Sequence, residues 1–181
     1  MAGSPHPEAL RLAKLLEKTG AQLVLAESCT GGLTAALLTQ VPGISKNFCG
    51  SAVVYQSETK SSWLKIDQSL LKRYGTESTQ TSRMLALKVL KKTPQATISG
   101  AITGDLGPLP RDPKKVGTIF VACAIKRRGK VQTFAVTKKI RLPQKIKRTA
   151  QTRIALQHAA SMVFIRMVRQ MLTDTLRQHL C

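Results

Sequence analysis

The apolar positions change period along the chain, and those changes mark the elements. Leu10, Leu12, Ala13, Leu15 and Leu16 form one broad apolar face over residues 7–20, opened by Pro7-Glu8 and closed by Gly20. That is the pattern of a helix with proline in its first turn and glycine at its end. Residues 22–26 are then apolar except for Gln22, and the run stops at Glu27-Ser28-Cys29-Thr30-Gly31-Gly32. A short apolar run bounded in this way predicts a buried strand. From Leu33 to Leu38 apolar residues resume at helical spacing, so the pattern predicts strand, tight turn, helix.

Val41-Pro42-Gly43 enforces a loop, and residues 49–55, with Ala52-Val53-Val54-Tyr55, favour a second strand. A short helix opens over 56–60, with Trp63, Leu64 and Ile66 as its expected core contacts. Asp67 is placed to cap a helix over 68–74 that stops at Gly75, and Met84, Leu85, Leu87, Val89 and Leu90 carry another to Lys91. Residues 96–103 read as a second buried strand ending in Gly104, and prolines and glycines make 105–113 a loop. Residues 118–125 and 131–140 form a hairpin around a basic turn at Arg127-Arg128-Gly129-Lys130. A long helix follows over about 145–178, with Ala150, Ile154, Ala155, Ala159 and Met162 among its inward positions.

Strands alternating with helices in 181 residues predict one α/β domain, residues 1–181, with 1–6 as a frayed tail. No apolar run approaches the roughly 18 residues of a membrane span, and the N-terminal residues lack the pattern of a cleavable signal. The expectation is a cytoplasmic protein with no membrane association. Cys29, Cys49, Cys123 and Cys181 are scattered, without a C-x-x-C pair or histidines at ligand spacing, so neither a zinc site nor a disulfide framework is expected. His6, His158 and His179 lie in flanking or late helical segments, and a Ser-His-Asp triad has little to draw on.

The loops after the strands hold the remaining chemistry. Ser28 and Thr30 fall where an open α/β sheet binds ligands, at strand C-termini and a helix N-terminus that favours an anion. Ser45, Tyr55, Lys60, Thr103 and Gly104 occupy comparable loops. Together they supply the parts of Ser-Lys chemistry, in which a lysine of lowered pKa accepts a hydroxyl proton and backbone N–H groups hold the oxyanion. The net charge of +20, from 29 Lys and Arg against 9 Asp and Glu, adds a positive field that attracts phosphates. It opens a second expectation, non-specific binding of nucleic acid or another polyanion, although at 4% aromatic the chain is poorly equipped for base stacking.

Ala26-Glu27-Ser28-Cys29-Thr30-Gly31-Gly32, Val41-Pro42-Gly43-x-Ser45, Val53-Val54-Tyr55-x-Ser57-Glu58-x-Lys60, Ala101-Ile102-Thr103-Gly104-x-x-Gly107-Pro108 and Val116-Gly117-Thr118 occur in an order that resembles the CinA C-terminal domain family. Stand-alone members of that family are nicotinamide-nucleotide amidases. The resemblance implies a three-layer α/β/α sandwich with a mixed central sheet, a homodimer, and deamidation of nicotinamide mononucleotide to nicotinate mononucleotide and ammonia without metal or cofactor.

Carried over by position, the resemblance makes Ser45 and Lys60 nucleophile and base, with Ser28 the rival nucleophile and Tyr55 orienting the lysine or the ligand. Thr30, Gly31 and Gly32 would meet the phosphate or the oxyanion, Thr103 and Gly104 would line the opposite wall, and Glu27 would anchor the loop through backbone hydrogen bonds. Asp105-Leu106 replaces the family's Ile-Ala, so Asp105 either forms a turn or re-tunes the phosphate side of the pocket. The family's Gly-Asp-Arg before the last helix is here Arg141-Leu142-Pro143-Gln144-Lys145, leaving Arg141 or Lys145 as the nucleotide-binding cation. With the charge, these departures support an alternative: a family member of weakened catalysis that binds a nucleotide or nucleic acid.

Overall fold

The computed structural model describes residues 4–107, 115–127, 129–140 and 150–177. In chain order the elements are α1 (Pro7–Thr19), β1 (Leu23–Glu27), α2 (Leu33–Thr39), a 3-10 turn (Ile44–Lys46), β2 (Phe48–Val53), α3 (Ser57–Leu64), α4 (Gln68–Tyr74), α5 (Thr79–Lys92), β3 (Ile98–Asp105), β4 (Thr118–Arg127), β5 (Lys130–Lys139) and α6 (Ala150–Arg177). The strands form one sheet in the order β2-β1-β3-β4-β5. β1 pairs in parallel with β2 and β3, whereas β3-β4 and β4-β5 are antiparallel, so the sheet is mixed.

Alternation along the strands divides the core into two layers, because successive side chains point to opposite faces. Leu23, Leu25, Ile98, Ile102, Val121 and Cys123 pack with α1, α2 and α6 through residues such as Leu16, Leu38 and Phe164. Val24, Ala26, Ala101, Ala122 and Ala124 face Leu64, Leu71, Leu85 and Val89 of α3, α4 and α5. This is the α/β/α sandwich. The small alanines on the second face let α5 lie close against the sheet.

Two helix ends fall where the sequence placed them: Gly20 takes a left-handed φ of 66° and ends α1, and Asp67 accepts a hydrogen bond from the first turn of α4. Ser78 does the same for α5. α1 is also tied to α6 by charge. Glu8, 5% exposed, meets Arg11 at 2.8 Å, Arg169 at 3.5 Å and Arg166 at 3.6 Å. Burial alone would raise its carboxyl pKa, but the Arg11 hydrogen bond and the charges of Arg166 and Arg169 outweigh it and hold the group below its ordinary value.

Several expectations need correction. Trp63 is 56% exposed, not a core contact. The inward positions of α3 are Lys60 and Leu64, so a lysine stem takes the slot that an apolar residue was expected to fill. Ile154 is 55% exposed, because the inward line of α6 runs through Thr152 and Leu156 and Ile154 lies about 200° of helix rotation from Thr152. Ala150 is exposed as well.

β3 does not end at Gly104 but continues through it to Asp105. A Cβ on Gly104 would stand 2.5 Å from the Thr118 carbonyl oxygen, so β4 approaches too closely for any side chain there. Gly104→Ala is expected to cost about 1–3 kcal/mol through backbone displacement. A melting curve that matched the parent's would refute that reading. The 105–113 loop lies mostly outside the described residues, as do residues 1–3 and Arg128.

Candidate active site

The parallel half of the sheet sets the location. β1 lies between β2 and β3, so the connections leaving its C-terminal end diverge and open a crevice. At that end β1 finishes in Glu27, and residues 28–32 turn the chain into α2. Gly31 and Gly32 have φ of 62° and 95°, left-handed values that favour glycine. They fold the loop back so that Gly31 N–H donates to the Ser28 carbonyl at 3.0 Å. Among the described residues no acceptor takes the N–H groups of Thr30 and Gly32.

Glu27 holds this turn as expected. It is fully buried, and its carboxylate accepts from Thr30 Oγ1 (2.7 Å), Ala35 N–H (2.9 Å), Ser51 Oγ (3.0 Å) and Thr34 N–H (3.1 Å). Two of these donors are unpaired first-turn amides of α2, where a negative charge is favoured. Glu27→Gln replaces one acceptor oxygen with a donor amide facing donors. Thermal denaturation should show a loss of about 2–4 kcal/mol.

Lys60 comes from α3, immediately after β2. Its side chain runs inward and is 1% exposed. Nζ donates to the carbonyls of Val54 (2.9 Å) and Tyr55 (2.8 Å), and stands 3.1 Å from Ser28 Oγ. Burial lowers the Lys60 pKa below its ordinary value, against the opposing charges of Glu77 and Glu58. Nζ is placed to donate to all three oxygens; on loss of one proton the two carbonyls still take both N–H groups of –NH₂, and the lone pair is left facing the Ser28 hydroxyl.

Ser45 is not part of this group. It lies in the exposed 3-10 turn before β2, whereas Lys60 follows β2. The six residues of β2 separate the two ends of the sheet by about 20 Å. Of the two candidate serines, Ser28 therefore pairs with Lys60. Cys29, its neighbour, is no substitute nucleophile: burial pushes its thiol pKa up to about 12.

Tyr55 orients Lys60 through its backbone carbonyl, while its ring is 56% exposed and its hydroxyl accepts from Arg153 Nη2 at 2.7 Å. Arg153 also donates to the Gly107 carbonyl. Tyr55 and Arg153 line an open cleft of about 1050 Å³ whose charged wall residues include Glu58, Glu77, Asp105, Lys72 and Lys115. Ser28 is 7% exposed and sits off this wall; Tyr55 connects the two, with its ring on the cleft and its carbonyl on Lys60.

Thr103 and Gly104 do not line the cleft. Thr103 is fully buried and its hydroxyl lies 2.9 Å from Ser82 Oγ of α5, so it joins the sheet to a helix. The next residues take the expected wall position: Asp105 and Gly107 are on the cleft, and Asp105 Oδ1 accepts from Gly107 N–H at 2.8 Å. Asp105 is thus a turn former that also presents charge. Arg141 and Lys145 fall outside the described residues.

Residues that sequence reasoning did not assign come from α6 and β2. Gln157 Nε2 donates to the Thr30 carbonyl at 2.8 Å, Arg153 reaches Tyr55, and Ser51 bonds Glu27. Among the described residues, no cluster of three or more His, Cys, Asp and Glu side chains has metal-binding geometry, and no helix is long and apolar enough to cross a membrane.

Comparison with known proteins shows the family of the fold. A match to the CinA C-terminal domain extends over residues 6–166. The chain belongs to that family. A CinA-like protein of Frankia casuarinae is 42% identical over 129 residues, which are 71% of this chain and 28% of the relative, so the chain spans under a third of that relative's length. The competence/damage inducible protein CihA of Agrobacterium tumefaciens superposes with a TM-score of 0.76 at 26% identity, covering 96% of this chain and 98% of the other. A CinA-superfamily protein of Klebsiella pneumoniae 700603 shares the fold, with a TM-score of 0.77 at 24% identity over 95% of this chain and 99% of its own. The CinA fold here is therefore of the same extent as those solved chains.

Proposed function

We propose that this CinA-family protein is an amidohydrolase that converts nicotinamide mononucleotide to nicotinate mononucleotide and ammonia, with Ser28 as nucleophile and Lys60 as its base. One observation carries the reading: a buried lysine of lowered pKa, held by two backbone carbonyls, stands 3.1 Å from a serine hydroxyl at the sheet's crevice. The substrate follows from the family resemblance and is consistent with the cleft. Nicotinamide mononucleotide joins a cationic pyridinium to an anionic phosphate, and the cleft offers Glu58, Glu77 and Asp105 for the first and Lys72, Lys115 and Arg153 for the second.

Neutral Lys60 takes the Ser28 proton as Oγ attacks the carboxamide carbon, and the N–H groups of Thr30 and Gly32 receive the developing oxyanion. Lys60 then passes that proton to the amide nitrogen, the C–N bond breaks, and ammonia leaves. Water attacks the resulting Ser28 ester with Lys60 again as base; one of its protons returns to Ser28 Oγ, the other leaves the new carboxyl group for solvent water, where the released ammonia takes it up as ammonium, and the carboxylate departs. Every proton is accounted for by these two side chains, water and the released ammonia.

Purified protein incubated with nicotinamide mononucleotide should release ammonia and nicotinate mononucleotide in equal amounts. Nicotinamide riboside, which lacks the phosphate, should turn over with a raised KM. Nucleotide binding without ammonia release would contradict the hydrolytic reading and favour a binding protein of the same fold.

A further inference from the structure

The end of the sheet opposite the crevice gathers cations from every layer. The helices α1 and α5 lead into the N-terminal ends of β1 and β3, and end there in exposed Lys18, Lys91 and Lys92. Exposed Lys46 precedes the N-terminal end of β2, and its carbonyl accepts from Gln22 Nε2 at 2.9 Å. Gln22 and Thr97 bond one another, and Lys126 N–H donates to the Thr97 carbonyl, so the hydrogen bonds run without a gap from β2 to β4. Lys126 Nζ reaches toward the Pro94 carbonyl just past α5, and Lys130 opens β5 at the hairpin tip. Arg127 donates to the Thr175 carbonyl, which brings the last turn of α6 and its exposed Arg177 to the same end.

Helix dipoles account for a cation at each of the three helix ends. They do not account for Lys126 and Lys130, which lie in strands, and add little for Lys46, in a single 3-10 turn. Glu17 and Asp174 are the described carboxylates of this end, against Lys18, Lys46, Lys91, Lys92, Lys126 and Lys130 with Arg177. Glu58, Glu77 and Asp105, by contrast, all lie on the cleft at the other end.

We propose that this basic end binds the phosphodiester backbone of duplex nucleic acid without reading its sequence, leaving the crevice free. The span favours a duplex. Four interstrand gaps from β2 to β5 cover about 19 Å, enough to bridge a major groove of about 12 Å. The chemistry favours phosphate over base or lipid. Tyr55, Trp63 and Tyr74, the aromatics with large exposure, belong to the crevice end and to α3 and α4, so among the described residues the basic end offers no widely exposed aromatic ring for stacking. Val131 is its only large exposed apolar side chain among the described residues, too little to anchor in a bilayer.

The test uses the full chain and a short fluorescent duplex of mixed sequence, with anisotropy followed between about 50 and 200 mM KCl. Binding should be sequence-independent, weaker for the matching single strand, and should fall steeply with salt. Lys91→Glu/Lys92→Glu/Lys130→Glu should weaken it at least about tenfold and make the logarithmic salt slope shallower by about 3. Arg73→Glu/Arg83→Glu/Lys138→Glu, which removes the same charge from exposed positions elsewhere, should change affinity less than about threefold and leave the slope unaltered. Lys91→Gln/Lys92→Gln/Lys130→Gln, gentler on the fold, should fall between the parent and the first variant. Absent binding at the lowest salt, equal losses in the two charge-reversed variants, tighter binding of the single strand, or binding of phosphatidylserine vesicles but not DNA would each overturn the proposal.

Discussion

Ser28→Ala should lower kcat for nicotinamide mononucleotide by at least about a thousandfold. The substitution deletes the one hydroxyl beside the Lys60 amine, and Cys29, whose thiol stays protonated, cannot take over. Melting temperature should change little, because Ser28→Ala removes one hydroxyl and leaves the backbone hydrogen bonds of the turn in place. Ser45→Ala is the matched control. Some 20 Å from Lys60 along β2, it should leave kcat and KM within about twofold of the parent. A large kcat loss in Ser45→Ala with Ser28→Ala active would reverse the assignment.

Lys60→Met should be nearly as severe, and Lys60→Arg should not rescue it, since a guanidinium stays protonated and cannot accept the Ser28 proton. The pH profile gives the sign. Only the neutral amine is a base, so kcat/KM should rise with pH through the Lys60 pKa, which burial places below 10.5. Stability should follow the same direction. The unfolded chain holds the Lys60 proton up to its higher, ordinary pKa. Folding is therefore disfavoured by protonation, and stability grows as pH rises from the folded to the unfolded value. Lys60→Met should lack this increment. A profile that fell with rising pH, or an active Lys60→Arg, would remove the lysine from the role of base.

Much of the site could be read from the chain because it is built locally. The Glu27-to-Gly32 turn lies within one strand-turn-helix unit, so residue order alone marks Ser28 and Thr30, and the resemblance adds Glu27, Gly31 and Gly32. Tyr55 and Lys60, five residues apart, belong to the next such unit. What could not be read depends on which end of a strand a loop occupies, or on distant pairings. Ser45 sits in a glycine loop much like the others, and only the direction of β2 separates it from Lys60. The resemblance puts Thr103 and Gly104 on a wall and the sequence pattern ends the strand at Gly104, whereas the close approach of β4 keeps both residues inside the sheet. Gln157 and Arg153 meet residues 127 and 98 positions earlier, and nothing local marks them. Trp63 misled because hydrophobicity was taken for burial while a lysine filled the inward slot.

The basic end and the crevice are separate features of one fold, and their tests are independent. Loss of DNA binding in Lys91→Glu/Lys92→Glu/Lys130→Glu should leave ammonia release intact, since the crevice lies at the other end of the sheet.

The central claim is that a neutral Lys60 turns Ser28 into the nucleophile. Acid-quenching the protein during turnover of nicotinamide mononucleotide, followed by peptide mass spectrometry, addresses it directly. A nicotinate-mononucleotide ester should appear on the peptide bearing Ser28 and be absent from Ser28→Ala. An ester on Ser45, or steady ammonia release from Ser28→Ala, would contradict it.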